Sequence, residues 1–174
     1  KIAIDNLGRG YWTSISLDTV LNWTDSTFVD DYIIKHNALF KTKYNRANYG
    51  KSECGEFAYN CGMHGSPKRG MVKVCMLANK KENYQLATLA SSLDPQDRAH
   101  GSLGLYFLQK NGVDLTDDEK WFIEINAKST ISVECCRGDT FYGPVPMNKL
   151  LGEEWMEIHY NWYSTHCWNK LLTE

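Results

Sequence analysis

The sequence predicts a β-rich α+β fold: a mostly antiparallel sheet or partly closed barrel, disulfide-stabilised, with one main helix over residues 26–40 packed on it. Three observations carry that prediction. Between residues 153 and 168 the side chains alternate two by two. Met156, Ile158, Tyr160 and Trp162 would share one face of an extended segment, and Trp155, Glu157, His159 and Asn161 the other. Similar alternation occurs at 121–126 and 130–136, on either side of Ala127-Lys128-Ser129, as in a hairpin. Finally, six cysteines at 54, 61, 75, 135, 136 and 167 follow neither a Cys-x-x-Cys repeat nor a metal-ligand spacing, which points to three disulfides.

The elements follow in chain order. Residues 1–4 and 11–17 read as strands of an N-terminal hairpin, separated by Asn6-Leu7-Gly8-Arg9-Gly10, residues that tolerate positive φ. Phe28, Tyr32, Ile33, His36 and Leu39 or Phe40 recur at three-to-four spacing, with Asp30 and Asp31 expected in the first turn, and define the helix at 26–40. Residues 41–51 form a basic, aromatic loop. The glycine-rich segment 54–75 is loop-like, with short strands at 56–60 and 72–77. A helix at 84–93 ends at Asp94-Pro95, since proline cannot continue it. The apolar run 103–109 reads as a central strand closed by Lys110-Asn111-Gly112. Thr116-Asp117-Asp118-Glu119 has the form of a capping box, enough for one helical turn, and reads equally as a plain loop. After breaks at 137–139 and 143–146, residues 148–151 make a turn of helix before the long strand.

A chain of 174 residues suits a single domain, 1–174, with a sizeable core. Its net charge of −2 gives no global reason to bind nucleic acid or an anionic membrane. No run reaches the roughly 18 apolar residues of a membrane span, and the first ten residues lack the apolar core of a signal peptide. Three disulfides imply an oxidising compartment, hence a secreted, extracellular protein whose targeting segment has been removed; the rival reading is a cytosolic protein with six thiols. Cys135 and Cys136 are neighbours, so each is expected to reach a different partner. The Asn22-Trp23-Thr24 sequon, a glycosylation acceptor at Asn22, agrees with secretion.

Chemistry concentrates on the long strand. Glu157 and His159, two apart on one strand face, could serve as general base and acid, with Arg137 stabilising charge and Glu124 and Glu134 on earlier strands. This resembles in outline the sheet-borne Glu, His and Arg of small secreted ribonucleases. His64 near Cys54 and Cys61 fits no zinc pattern, and no cofactor fingerprint is present. His36, His100 and His166 read as structural or solvated, and Arg137-Gly138-Asp139 as a loop corner. Tyr44, Arg46 and Tyr49 in one loop, and Lys68 with Arg69 in another, are candidate contact residues. The expectation is a monomeric, non-enzymatic secreted effector or toxin that binds a host or target-cell protein through exposed loops, in the manner of small secreted fungal effectors and killer toxins. The alternatives are a secreted hydrolase such as a small ribonuclease using Glu157 and His159, and a carbohydrate-binding module built on the six Trp and ten Tyr.

Overall fold

The long aromatic stretch near the C-terminal end is a helix, and this overturns the β-rich expectation: the computed structural model is mostly helical. The structure describes residues 2–4, 10–12, 26–58, 67–137 and 140–167. The chain divides into two compact units, residues 1–50 and residues 51–174.

In the first unit β1 (Ile2–Ile4) pairs antiparallel with β2 (Gly10–Trp12), Ala3 opposite Tyr11, as the turn residues between them suggested. Helix α1 (Ser26–Phe40) has the expected limits. It buries Val29, Ile33, His36 and Phe40, a stripe at steps of three and four. The following loop folds back on it. The Asn37 side chain donates to the Tyr44 carbonyl at 2.8 Å and accepts the Tyr44 N–H at 2.9 Å. Asn45 then caps a single 3₁₀ turn, Arg46–Asn48, accepting the Ala47 N–H at 2.9 Å.

The second unit is built around α4 (Pro95–Lys110), which packs against α2 (Arg69–Asn79), α3 (Asn83–Ala90), α5 (Asp117–Ala127), β3 (Ser132–Arg137), α6 (Met147–Leu150) and α7 (Glu153–His166). A helix covered this completely has no solvent stripe, so its sequence shows no amphipathic period. That is why Leu103, Leu105, Phe107 and Leu108, all buried, imitate a central strand. Asp94-Pro95 does not end the preceding helix, which stops at Ala90; it starts this one. The Asp94 carboxylate accepts the Gln96 N–H at 2.8 Å, and Pro95 occupies the first helical position, where no N–H is needed. Gly101 lets α3 lie against the α4 backbone, since a Cβ there would sit 2.6 Å from the Leu89 carbonyl carbon and 2.7 Å from the Leu86 oxygen. Buried Asn126 ties the three helices together by donating to the Ala90 carbonyl at 2.8 Å and the Ser102 hydroxyl at 2.9 Å.

Three further segments predicted as strands are helices. Residues 72–77 lie in α2, where Met71, Val74, Cys75 and Ala78 face inward at helical spacing. Residues 121–126 lie in α5, begun by the predicted capping box: Thr116 accepts the Glu119 N–H at 3.3 Å and Glu119 accepts the Thr116 N–H at 2.8 Å. The box starts three turns of helix rather than one. Residues 153–166 form α7, which buries Met156, His159 and Tyr163. Its first turn carries Glu153 and Glu154 and its last His166, both favourable to the helix dipole. The second hairpin lies downstream of the predicted one: β3 pairs antiparallel with β4 (Thr140–Pro146), Val133 opposite Val145, with a register shift between Cys135 and Cys136. At 56–58 there is no strand, only a single parallel bridge from Phe57 to Cys135.

Cys75 of α2 is bonded to Cys167 at the end of α7, with a Cα–Cα separation of 5.9 Å, and Cys136 is also disulfide-bonded. Cys54 and Cys135 are buried thiols, a departure from three disulfides. The Cys75–Cys167 bond is compatible with an extracellular setting. No helix among the described residues is long and apolar enough to cross a membrane.

Candidate functional site

The predicted dyad does not assemble. Residues two apart on a helix point about 200° away from each other, whereas on a strand they share a face. Glu157 therefore turns to the seam with α4, where it accepts hydrogen bonds from the Tyr106 hydroxyl and from the Lys110 ammonium, the latter at 2.6 Å. The Lys110 and Tyr106 bonds hold its carboxyl below the usual carboxylate range. Lys110 also stands over the rings of Tyr106 and Tyr160, 5.8 and 5.6 Å from their centroids. His159 turns the other way into the core, 1% exposed, its ring 5.1 Å from that of Phe57 and 6.0 Å from that of Trp155. Arg137 is on β3, with its side chain outside the described residues, while Glu124 and Glu134 are exposed on α5 and β3. The alternation that suggested a catalytic strand has no counterpart in space.

The loop candidates separate as well. Arg46 is held in a two-pronged ion pair with Asp30 of α1, and this bond keeps the Asp30 carboxyl low and the Arg46 guanidinium high. The Tyr44 ring packs 5.8 Å from His36, and Tyr49 meets Tyr32 edge-on at 6.0 Å. These three residues fasten their loop to α1. Lys68 pairs with Glu56 at 2.9 Å, immediately before α2. Arg69 opens that helix, is exposed, and forms no ion pair with a described residue. Asn22, Cys61, His64, Gly138 and Asp139 lie outside the described residues.

Arg69 leads to a feature that the strand assignment at 72–77 had hidden. The outer side of α2 forms a groove of about 400 Å³ lined by Arg69, Val72, Lys73, Met76 and Leu77. Helical spacing places Arg69, Val72, Lys73 and Met76 together. Val72 is 41% and Met76 44% exposed, four residues apart on a helix whose opposite side is core. Lys73 pairs with Glu53. Residues 68–81 contain five basic residues and no acidic one, in a chain whose net charge is −2. The floor is apolar, the rim cationic.

Asp97 of α4, 2% exposed, accepts the backbone N–H groups of Glu53 and Cys54 at 2.9 Å and the Ser52 hydroxyl at 3.1 Å. Burial, then the neighbouring Asp97 carboxylate, pushes the Cys54 thiol above the ordinary thiol range, and burial pushes Cys135 up to about 11. Such thiols are poor nucleophiles and poor metal ligands. Among the described residues, no group of three or more His, Cys, Asp or Glu is placed to hold a metal ion. Comparison of the chain with protein-family models, with curated proteins and with solved structures finds no match in any of the three.

Proposed function

We propose that this chain is an extracellular binding protein that engages a protein of a host or target cell through the outer face of α2. The observation that carries the proposal is the gathering of exposed Val72 and Met76 in one groove with Arg69 and with Lys73, the latter paired with Glu53, on a helix whose other side is core. Water-exposed apolar side chains gathered in a concave site are costly to leave bare and favourable to cover, and methionine adapts its shape to what covers it. One of the candidate contact residues, Arg69, stands at this face, and another, Lys68, immediately precedes the helix. The Cys75–Cys167 disulfide supports the extracellular part of the proposal.

Labelled protein applied to intact cells tests it by flow cytometry. Saturable binding is expected, weakened at least tenfold by Val72→Asp with Met76→Asp. Binding that survives the double substitution removes the α2 face from the function. Binding that survives protease treatment of the cells and is lost after glycosidase treatment turns the assignment to a carbohydrate-binding module.

A further inference from the structure

We infer that the segment received on the α2 face is an acidic peptide stretch carrying an apolar anchor residue; this rests on the binding proposal above and specifies the partner. The charge pattern is the first argument. Of the five cations at 68–81, Lys68 and Lys73 are already neutralised by Glu56 and Glu53, whereas Arg69, Lys80 and Lys81 are exposed and form no ion pair with a described residue. Arg69 at the groove, with Lys80 and Lys81 just past the last residue of α2, sets a positive potential that steers carboxylates toward this face and disfavours basic partners. Arg69, with its forked guanidinium, suits a carboxylate particularly well.

Shape is the second argument, and it separates a peptide from a lipid surface. A helix that lies on a bilayer presents a broad apolar face to it. Here Met71, Val74, Cys75, Leu77 and Ala78 of α2 are buried in the core, and Cys75 is cross-linked to Cys167, so the helix cannot roll outward to offer that face. What remains outside is Val72 and Met76 within a groove of about 400 Å³, room for one or two apolar side chains rather than a flat contact. The cross-link also fixes the groove before binding, so little order has to be created when a peptide docks.

The probe is a phage-displayed library of random twelve-residue peptides panned on the whole chain, with soluble Arg69→Glu/Met76→Asp protein in excess as competitor. Both substituted side chains are exposed, and an unchanged thermal midpoint and circular dichroism spectrum establish that the variant is folded. The expected peptides carry several Asp or Glu around a Leu, Ile, Met or Phe. Made synthetically, they lose at least tenfold in affinity when their acids become Asn and Gln, and again on Arg69→Glu. Neutral or basic peptides that depend on Met76 would overturn the acidic class and leave the α2 face as the binding site. Recovery of no peptide sensitive to the double variant would overturn both. Sedimentation with phosphatidylserine vesicles that the double variant abolishes, without peptide enrichment, assigns the face to lipid and overturns the inference.

Discussion

The Asp97 carboxylate on the central helix accepts the backbone N–H of Cys54 at 2.9 Å, and through the same oxygens it holds the N–H of Glu53 and the hydroxyl of Ser52. One buried acid thus fixes the strand-less segment that leads into the Phe57–Cys135 bridge and supplies Glu53 to Lys73 at the α2 groove. Asp97→Asn replaces one acceptor oxygen by an NH₂ group facing other donors. The expected loss is about 2–3 kcal/mol in urea unfolding, the range for leaving buried donors unsatisfied. A loss no larger than that of an exposed Asp, such as Asp114→Asn, would remove Asp97 as the anchor.

His100, on the same helix, gives the fold a pH dependence. Its ring is fully buried, 4.9 Å from that of Phe57, with Nδ1 bonded to the Gln96 carbonyl at 2.8 Å. Nε2 faces Gly70, where a Cβ would collide with Nε2 and lie 2.7 Å from Cε1. Burial, against the opposing pull of Gln96 and Asp97, lowers its pKa from 6.5 to about 4. Between those values the unfolded chain binds more protons than the folded one, so stability is present above pH 6.5 and lost as pH falls toward 4. The contribution is about 3 kcal/mol. Urea midpoints at pH 7 and pH 4.5 should fall further apart in the wild type than in His100→Gln. Equal pH slopes in the two proteins would show that another group carries the effect.

Legibility in the sequence followed solvent exposure. Helix α1 could be read because Ile33, His36 and Phe40 keep a helical period on its buried side, although Phe28 and Leu39, read into the same stripe, are exposed and Val29 is the residue buried there. The capping box at Thr116 and Glu119 could be read because a cap is a local hydrogen-bond pattern. Helix α4 could not, because burial on every side erased the contrast on which periodicity depends. In α7 the aromatics are so dense that steps of two and of three to four are both populated. The overlooked signals were the scarcity of β-branched residues, only Ile158 and Thr165 in fourteen positions, and the acidic pair after Gly152. The groove was half legible. Lys68 and Arg69 stood out as basic loop residues, but a strand at 72–77 puts Val72, Val74 and Met76 on one face, whereas the helix sends Val74 inward and leaves Val72 and Met76 beside Arg69.

Glu157 and His159 should behave as unrelated residues. Glu157→Gln weakens a half-exposed ion pair with Lys110, and the change in stability should lie within the scatter of ordinary surface substitutions. His159→Ala empties a core position against Phe57 and Trp155 and should cost about 2–4 kcal/mol, as large-to-small core changes do. In a double-mutant cycle the coupling should be indistinguishable from zero. A sizeable coupling would mean that the two side chains meet after all and would reopen the catalytic pairing.

The two thiols provide the check on how the chain is cross-linked. Cys54 and Cys135 belong to the same core cluster, and both are held protonated, Cys54 by burial and the Asp97 carboxylate, Cys135 by burial. Alkylation requires a thiolate and access, so iodoacetamide at pH 8 should leave both untouched in the folded protein. Unfolded in urea without reductant, the chain should be labelled at Cys54 and Cys135 and not at Cys75, Cys136 or Cys167, as peptide mapping by mass spectrometry would read directly. Label at Cys75 or Cys167 would contradict the bond that locks α2 to α7 and with it the rigid groove. Absence of label from Cys54 and Cys135 after unfolding would mean that they are oxidised, giving the chain the further cross-link its cysteine count suggests.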